Sequence, residues 1–161
     1  MTPIIRLAEP TDEPFLWEML YQALYVPPGT PPLPRDIVFQ PELAKYVEHW
    51  GQQGDIGCIA VSVPQHIAIG AAWLRLFTRD NPGYGYIDDN TPELSIAVLP
   101  DYRRQGIGTR LLTDLFERAD SMYDAVSLSV SQDNPALRLY QHFGFEISEQ
   151  QGDSFTMRRL L

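Results

Sequence analysis

The stretch from Pro92 to Leu112, PELSIAVLPDYRRQGIGTRLL, constrains the chain more than any other. Its first half places Leu94, Ile96 and Val98 on one side and Ser95 and Ala97 on the other, then meets Pro100. That pattern predicts a strand over 93–99. Its second half repeats Ile107, Leu111, Leu112, Leu115, Phe116 and Ala119 at helical spacing, which predicts an amphipathic helix over 106–120. Between them lies Arg103-Arg-Gln-Gly-Ile-Gly108. A glycine-containing turn that opens a helix presents unpaired N–H groups at the positive end of the helix dipole. Gly106 and Gly108 carry no Cβ and let an anion approach the backbone, while Arg103 and Arg104 add positive charge. A phosphate-bearing ligand is therefore expected at the start of this helix. A dinucleotide fingerprint would need a third glycine where Leu111 stands, and a P-loop would need Gly-Lys-Ser/Thr, which is absent.

The remaining elements follow in order. Residues 4–7 read as a first strand. Thr11, Asp12, Glu13 and Pro14 open a helix that runs to about Leu24 on Phe15, Leu16, Met19, Leu20 and Ala23. Residues 25–34 hold too many prolines for helix or central strand and form a stiff loop. A second helix is expected over Pro41–Trp50, with His49 inside it. Residues 55–63 and 67–77 form a hairpin turning at Val63-Pro-Gln-His66, and 78–90 is a loop. Residues 124–131 alternate Val126, Leu128 and Val130 with Ser127, Ser129 and Ser131, a strand with one apolar face. Asn134 and Pro135 cap and open a helix that stops at Gly144, and two last strands surround a Gln-Gln-Gly-Asp turn.

Composition narrows the class. At 161 residues one domain is expected, covering 1–161, with a core large enough to need no disulfide or metal staple. Cys58 is the lone cysteine, which suits a reducing, cytoplasmic setting. The N-terminus lacks a signal-peptide pattern, and the longest apolar run, Ile67–Leu74, is far short of a membrane span. Three scattered histidines give no metal-ligand spacing. Lys+Arg 12 against Asp+Glu 21 leaves a net charge of −9, which argues against nucleic acid and mildly favours a cationic partner, though acidic balance is common among soluble proteins.

Two motifs then carry a family resemblance. Arg103, Gly106 and Gly108 occupy the fixed places of the acetyl-CoA motif of the GNAT superfamily of N-acyltransferases, Arg/Gln-x-x-Gly-x-Gly/Ala. Asn134, Leu139, Tyr140, Gly144 and Phe145 resemble its second signature, with Ala136 one place early. The resemblance implies an α/β fold: a twisted, mostly antiparallel sheet with helices on both faces, in which 93–99 and 125–131 are parallel neighbours joined by a helical crossover. It implies acetyl-CoA as cofactor, with the pyrophosphate on the N–H groups of Arg103, Arg104, Gln105, Gly106, Ile107, Gly108 and Thr109. The pantetheine arm would lie along Ile96, Ala97 and Val98 and touch Asn134. A homodimer would be in keeping with the family.

The chemistry implied is N-acetylation of a primary amine by direct attack, with no acyl-enzyme, since Cys58 lies outside both signatures. A free alkylammonium titrates near 10.4, so neutralising it at pH 7 costs roughly 4–5 kcal/mol. Glu93 is the candidate base, its other reading being an exposed strand-end carboxylate. Tyr140 is the candidate acid, its other reading a half-buried aromatic that caps a carbonyl. Tyr25, Tyr84 and Asp88 are candidates for the acceptor side, with Tyr21 and Trp50 nearby; Asp88 and Asp89 equally suit ordinary turn chemistry. The competing class is a non-catalytic acyl-CoA-binding or sensor module on the same fold, against which the retention of Glu93 and Tyr140 speaks. A ligand-free interaction protein would leave the 103–108 turn unexplained.

Overall fold

A computed structural model describes residues 2–161. Seven strands form one sheet in the order β1-β2-β3-β4-β5-β7-β6. They are β1 (Ile4–Leu7), β2 (Ile56–Val61), β3 (Ala68–Arg75), β4 (Glu93–Val98), β5 (Ala125–Ser131), β6 (Glu146–Gln151) and β7 (Ser154–Leu160). All neighbouring pairs are antiparallel except β4 and β5, which run parallel. Four α-helices accompany them: α1 (Glu13–Ala23), α2 (Pro41–Ala44), α3 (Ile107–Ala119) and α4 (Ala136–His142).

The sheet separates two cores. On one face α3 lays Ile107, Leu111, Leu112, Leu115 and Phe116 against Leu74, Leu94, Val126 and Leu128. On the other, α1 packs Leu16, Met19 and Leu20 with Val47, Trp50, Ile59, Ala71 and Trp73. The apolar stripes read from periodicity are thus the buried faces, and the expected fold class, with its β4-α3-β5 crossover, is what forms. No helix among the described residues is long and apolar enough to cross a membrane.

The second helix differs from expectation. It stops at Ala44, and turns follow to residue 49, where His49 sits at φ 59 rather than inside a helix. The cause is competition for its carbonyls. Arg75 Nη1 donates to the carbonyls of Lys45 and Glu48 at 3.0 and 2.7 Å, and Trp73 Nε1 donates to that of Tyr46 at 3.0 Å. The Lys45 and Tyr46 oxygens, which a helix to Trp50 would give to the N–H groups of His49 and Trp50, are thereby turned toward β3.

Strand β5 also departs from a simple one-faced reading. Ser127 is 0% exposed although it belongs to the serine face, and the loop carrying Gly85 runs hard against the β5 main chain: a Cβ on Gly85 would lie 2.6 Å from the Leu128 carbonyl carbon.

Arg75 is itself held by Asp55, with Nε and Nη2 donating to the carboxylate at 3.1 and 2.8 Å. Both side chains are almost fully buried. Removing one partner strands the other charge in the interior. Asp55→Ala is expected to lower the unfolding free energy by about 3 kcal/mol, read from the urea midpoint at constant m-value.

Candidate active site

The site is an opening inside the sheet. The parallel pair β4–β5 registers at Glu93↔Ser127, where the Ser127 N–H donates to the Pro92 carbonyl at 3.0 Å. Beyond that point the strands diverge, and a cavity of about 270 Å³ lies between Leu94, Ser95 and Ile96 of β4 and Leu128–Ser131 of β5. Two further cavities continue from it. One runs along Ile96, Ala97 and Val98 toward α1 and the loop after it; the other passes Gly106–Thr109 and Leu139. Ile96 and Tyr140 line all three, so Tyr140 stands at the junction.

The end of the opening nearest α3 is lined by backbone donors. None of the N–H groups of Arg104 to Thr109 has a partner among the described residues, whereas that of Arg103 is already donated to the Pro100 carbonyl at 3.3 Å. Arg104 and Gly106 both adopt positive φ, 63° and 80°, which folds this run into a concave nest ahead of α3. A Cβ on Gly106 would meet nothing, so its glycine serves conformation; a Cβ on Gly108 would project between Leu139 and Ile96, at 3.6 and 3.8 Å. Gln105 is exposed and enters through its N–H alone. The Arg103 guanidinium is used structurally: Nε donates to the Val98 carbonyl at 2.9 Å, tying the loop to the end of β4.

Asn134 does cap α4, its Oδ1 accepting the Ala136 N–H at 2.9 Å, and its flank also lines two of the cavities. The Tyr140 ring packs edge-on to Phe145 at 5.9 Å. Its hydroxyl has no hydrogen-bond partner among the described residues, so the carbonyl-capping reading falls away. Burial pushes the phenol up to about 12.

Glu93 is not an exposed strand-end carboxylate. It is 4% exposed, and it lines none of the three cavities. Its Oε2 accepts the Tyr46 hydroxyl at 2.6 Å and its Oε1 accepts the Gly85 N–H at 3.0 Å. Burial raises its pKa to about 7, against the pull of those two donors and of Lys45. Tyr46 does line the cavity, yet it belongs to neither signature. The signal available in sequence was slight: one aromatic inside the stretch expected to be helical over Pro41–Trp50.

Of the acceptor-side candidates, Tyr25 lines the cavity and donates to the Asp133 carbonyl at 3.2 Å, bridging the loop after α1 to the loop before α4. Tyr84 lines its mouth and is 58% exposed. Asp88 lines none of the cavities; its carboxylate accepts the Asn90 N–H at 2.9 Å, the turn role. Tyr21 lines the neighbouring cavity, and Trp50 is core.

The Glu93 proton links the site to stability. An ordinary Glu titrates near 4.5, and this one is raised to about 7, so the folded chain holds the proton more tightly than the unfolded chain. Its contribution is fully present below pH 4.5 and is lost as pH rises to about 7. Glu93→Gln is expected to flatten that decline, on the order of 3 kcal/mol, in urea unfolding measured from pH 4.5 to 7.5.

Comparison with known proteins agrees with this geometry. A putative acetyltransferase from Salmonella typhimurium, solved with acetyl-CoA, superposes with a TM-score of 0.70 at 19% identity, covering 100% of this chain and 95% of that one. A phosphinothricin acetyltransferase from Sinorhizobium meliloti in complex with acetyl-CoA gives 0.69 at 21%, covering 100% and 89%. Among curated sequences, N-alpha-acetyltransferase 50 of Danio rerio is 36% identical over 86 residues, 52% of this chain and 48% of that protein. An N-alpha-acetyltransferase of Sulfurisphaera tokodaii is 46% identical over 56 residues, 33% and 34% of the two chains. The matched stretch thus spans about half or less of each curated relative. Residues 17–145 match the family model described as the acetyltransferase (GNAT) family, and the chain belongs to that family.

Proposed function

We propose that this enzyme transfers an acetyl group from acetyl-CoA to a primary amine by direct attack on the thioester. One observation carries the reading: a run of unpartnered N–H groups at the head of α3 adjoins a β4 edge that β5 leaves free, and that edge leads to Tyr140. The two structural neighbours solved with acetyl-CoA support it. The residues present fit the cofactor. Arg104 to Thr109 would hold the pyrophosphate, the free edge of Ile96, Ala97 and Val98 would hold the pantetheine amides as a strand would, and Asn134 and Ile96 would flank the arm. When bound, acetyl-CoA supplies the carbonyl that the amine attacks and a thiolate leaving group.

Tyr140 then faces the departing sulfur. A thiol titrates near 8.5 and this phenol near 12, so complete proton transfer to the thiolate would be uphill by about 5 kcal/mol. Its role is to donate a hydrogen bond to the sulfur as charge develops, a stabilisation that strengthens in a site away from water.

The acceptor cavity favours a particular amine. No charged side chain lines it; Tyr25, Tyr46, Tyr84 and the serines at 95, 129, 131 and 154 supply hydroxyls. The excess of acidic residues that gives the net charge of −9 lies elsewhere. An alkylammonium of pKa about 10.4 entering such a cavity loses hydration with no carboxylate in contact. A peptide α-amine, at about 7.7–8.0, is already partly neutral at pH 7.5, an advantage of about 3 kcal/mol. We therefore read the acceptor as an α-amine, which the names of the two curated relatives support. At pH 7.5, kcat/KM for an uncharged alanyl tripeptide amide should exceed that for spermidine or Nα-acetyl-lysine amide by about 100-fold. Equal rates would remove the α-amine assignment, and absence of thiol release with every amine would favour the non-catalytic binding module.

The cofactor half has a separate check. A Cβ at Gly108 meets only ordinary van der Waals contacts beside an open groove, so Gly108→Val should keep its melting temperature within about 3 °C. Its valine would occupy the groove between Ile96 and Leu139, and calorimetry should show the acetyl-CoA Kd rising by more than about tenfold. An unchanged Kd would mean that the cofactor lies elsewhere.

A further inference from the structure

Glu93 is expected to receive a proton, yet it is walled off from the cavity in which the amine would sit. On one side the loop 83–85 seals it: a Cβ on Gly83 would fall 2.3 Å from Glu93 Oε1 and 2.7 Å from the Tyr46 hydroxyl, and one on Gly85 would strike the β5 main chain at 2.6 Å. On the other side stands Tyr46. Its ring packs against Phe77 with centroids 4.8 Å apart, which fixes its direction. Its hydroxyl donates to Glu93 Oε2 at 2.6 Å and accepts the Tyr84 N–H at 2.8 Å. A phenol oxygen has two lone pairs, so one remains for a donor arriving from the cavity that Tyr46 lines.

From this arrangement we propose that Tyr46 is a catalytic residue of the acetyl transfer, passing the proton of the attacking amine to Glu93. The inference rests on the acetyltransferase reading above. As the N–C bond forms and the C–S bond breaks, one amine N–H bond breaks and its proton joins the Tyr46 oxygen. The Tyr46 O–H proton moves to Oε2 of Glu93, which changes from carboxylate to carboxylic acid. Tyr46 ends as it began. The sulfur keeps the electron pair of the broken C–S bond. Glu93 later returns the proton to solvent by the reverse path once the cavity empties, and the released thiolate takes up a proton from solvent, so that one amide and one thiol result.

The energetics suit this direction. The Tyr46 phenol is held well above its usual range by burial and by the Glu93 carboxylate, so it does not stop as a phenolate and the two protons move together. The proton leaves a nitrogen made cationic by N–C bond formation; with the free α-ammonium near 8 as its reference, the gap to a Glu93 near 7 is about one unit, roughly 1.4 kcal/mol, whereas an ordinary glutamate would leave about 3.5 units. The groups facing Glu93 are few. Tyr46 and Lys45 come from the segment after α2, and Lys45 Nζ is engaged by Asn81 and the Pro82 carbonyl. Arg75, its register neighbour on β3, is engaged by Asp55. The midpoint near 7 therefore belongs to Glu93 as seen through Tyr46.

Tyr46→Phe and Glu93→Gln test this with the alanyl tripeptide amide as acceptor. In wild type, log kcat/KM should fall with slope one below about pH 8 as the acceptor amine protonates, and with slope two below about 7 as Glu93 protonates; that second, steeper segment is the limb that reports Glu93. Tyr46→Phe should lower kcat by about 100-fold and abolish the limb, with KM and the acetyl-CoA Kd within about threefold. Glu93→Gln, which keeps a hydrogen-bonding partner for Tyr46, should abolish the same limb. A Tyr46→Phe enzyme with near-wild-type kcat and an intact limb overturns the relay while leaving acetyl transfer standing. Loss of the limb in Glu93→Gln alone also overturns it, since Glu93 then acts without Tyr46. If Tyr46→Phe does not fold, a limb that persists in Glu93→Gln overturns the proposal. If wild type acetylates no amine, the acetyltransferase reading fails and the relay with it.

Discussion

Everything at this site depends on where β4 and β5 part. Two parallel strands in one sheet would ordinarily exchange hydrogen bonds along their length. Here they register at Glu93↔Ser127 and then separate. An internal edge results, flanked by α1 and its loop on one face and by α3 and α4 on the other. The sheet remains continuous because β5 is held along its whole length by β7, seven registered pairs from Ala125↔Leu160 to Ser131↔Ser154. The opening is thus a local concession in an otherwise fully paired sheet, and it sits where a strand-like ligand can complete the pairing.

The segment 41–50 shows how a distant ion pair sets site geometry. Arg75 and Trp73 reach from β3 and take the carbonyls of Lys45, Glu48 and Tyr46. That unwinds the helix after one turn and leaves the Tyr46 side chain directed at Glu93. A regular helix to Trp50 would have spent the Lys45 and Tyr46 carbonyls on its own ladder. The buried Asp55–Arg75 pair therefore does more than balance charge: it selects the backbone conformation that aims the tyrosine.

Much of this was legible in the sequence. The alternation in 93–98, the stripe from Ile107 to Ala119 and the glycine turn between them gave the parallel crossover and the anion nest, since each rests on local periodicity or local backbone freedom. Asn134, Leu139 and Tyr140 were legible through spacing. What was hidden depends on contacts between distant residues. The capture of the 45–48 carbonyls needs Arg75 and Trp73; the close approach of the 83–85 loop to β5 needs Gly85; the sealing of Glu93 needs Gly83, Gly85 and Tyr46. Asp88 lies on a turn within reach of the site in sequence, but its carboxylate is taken by Asn90. Arg103 carries the motif, yet its guanidinium is engaged by the Val98 carbonyl and by Gln22, which leaves backbone N–H groups as the unpartnered donors of this turn.

The nest at 104–109 has one more consequence. Its amides have no acceptor among the described residues, so in the free enzyme no hydrogen bond to those residues slows their exchange with deuterated solvent. An anion seated there would supply the missing acceptors without moving a helix or a strand. Occupancy of this site is therefore written in the protection of a handful of backbone protons, in a molecule whose overall shape need not change at all.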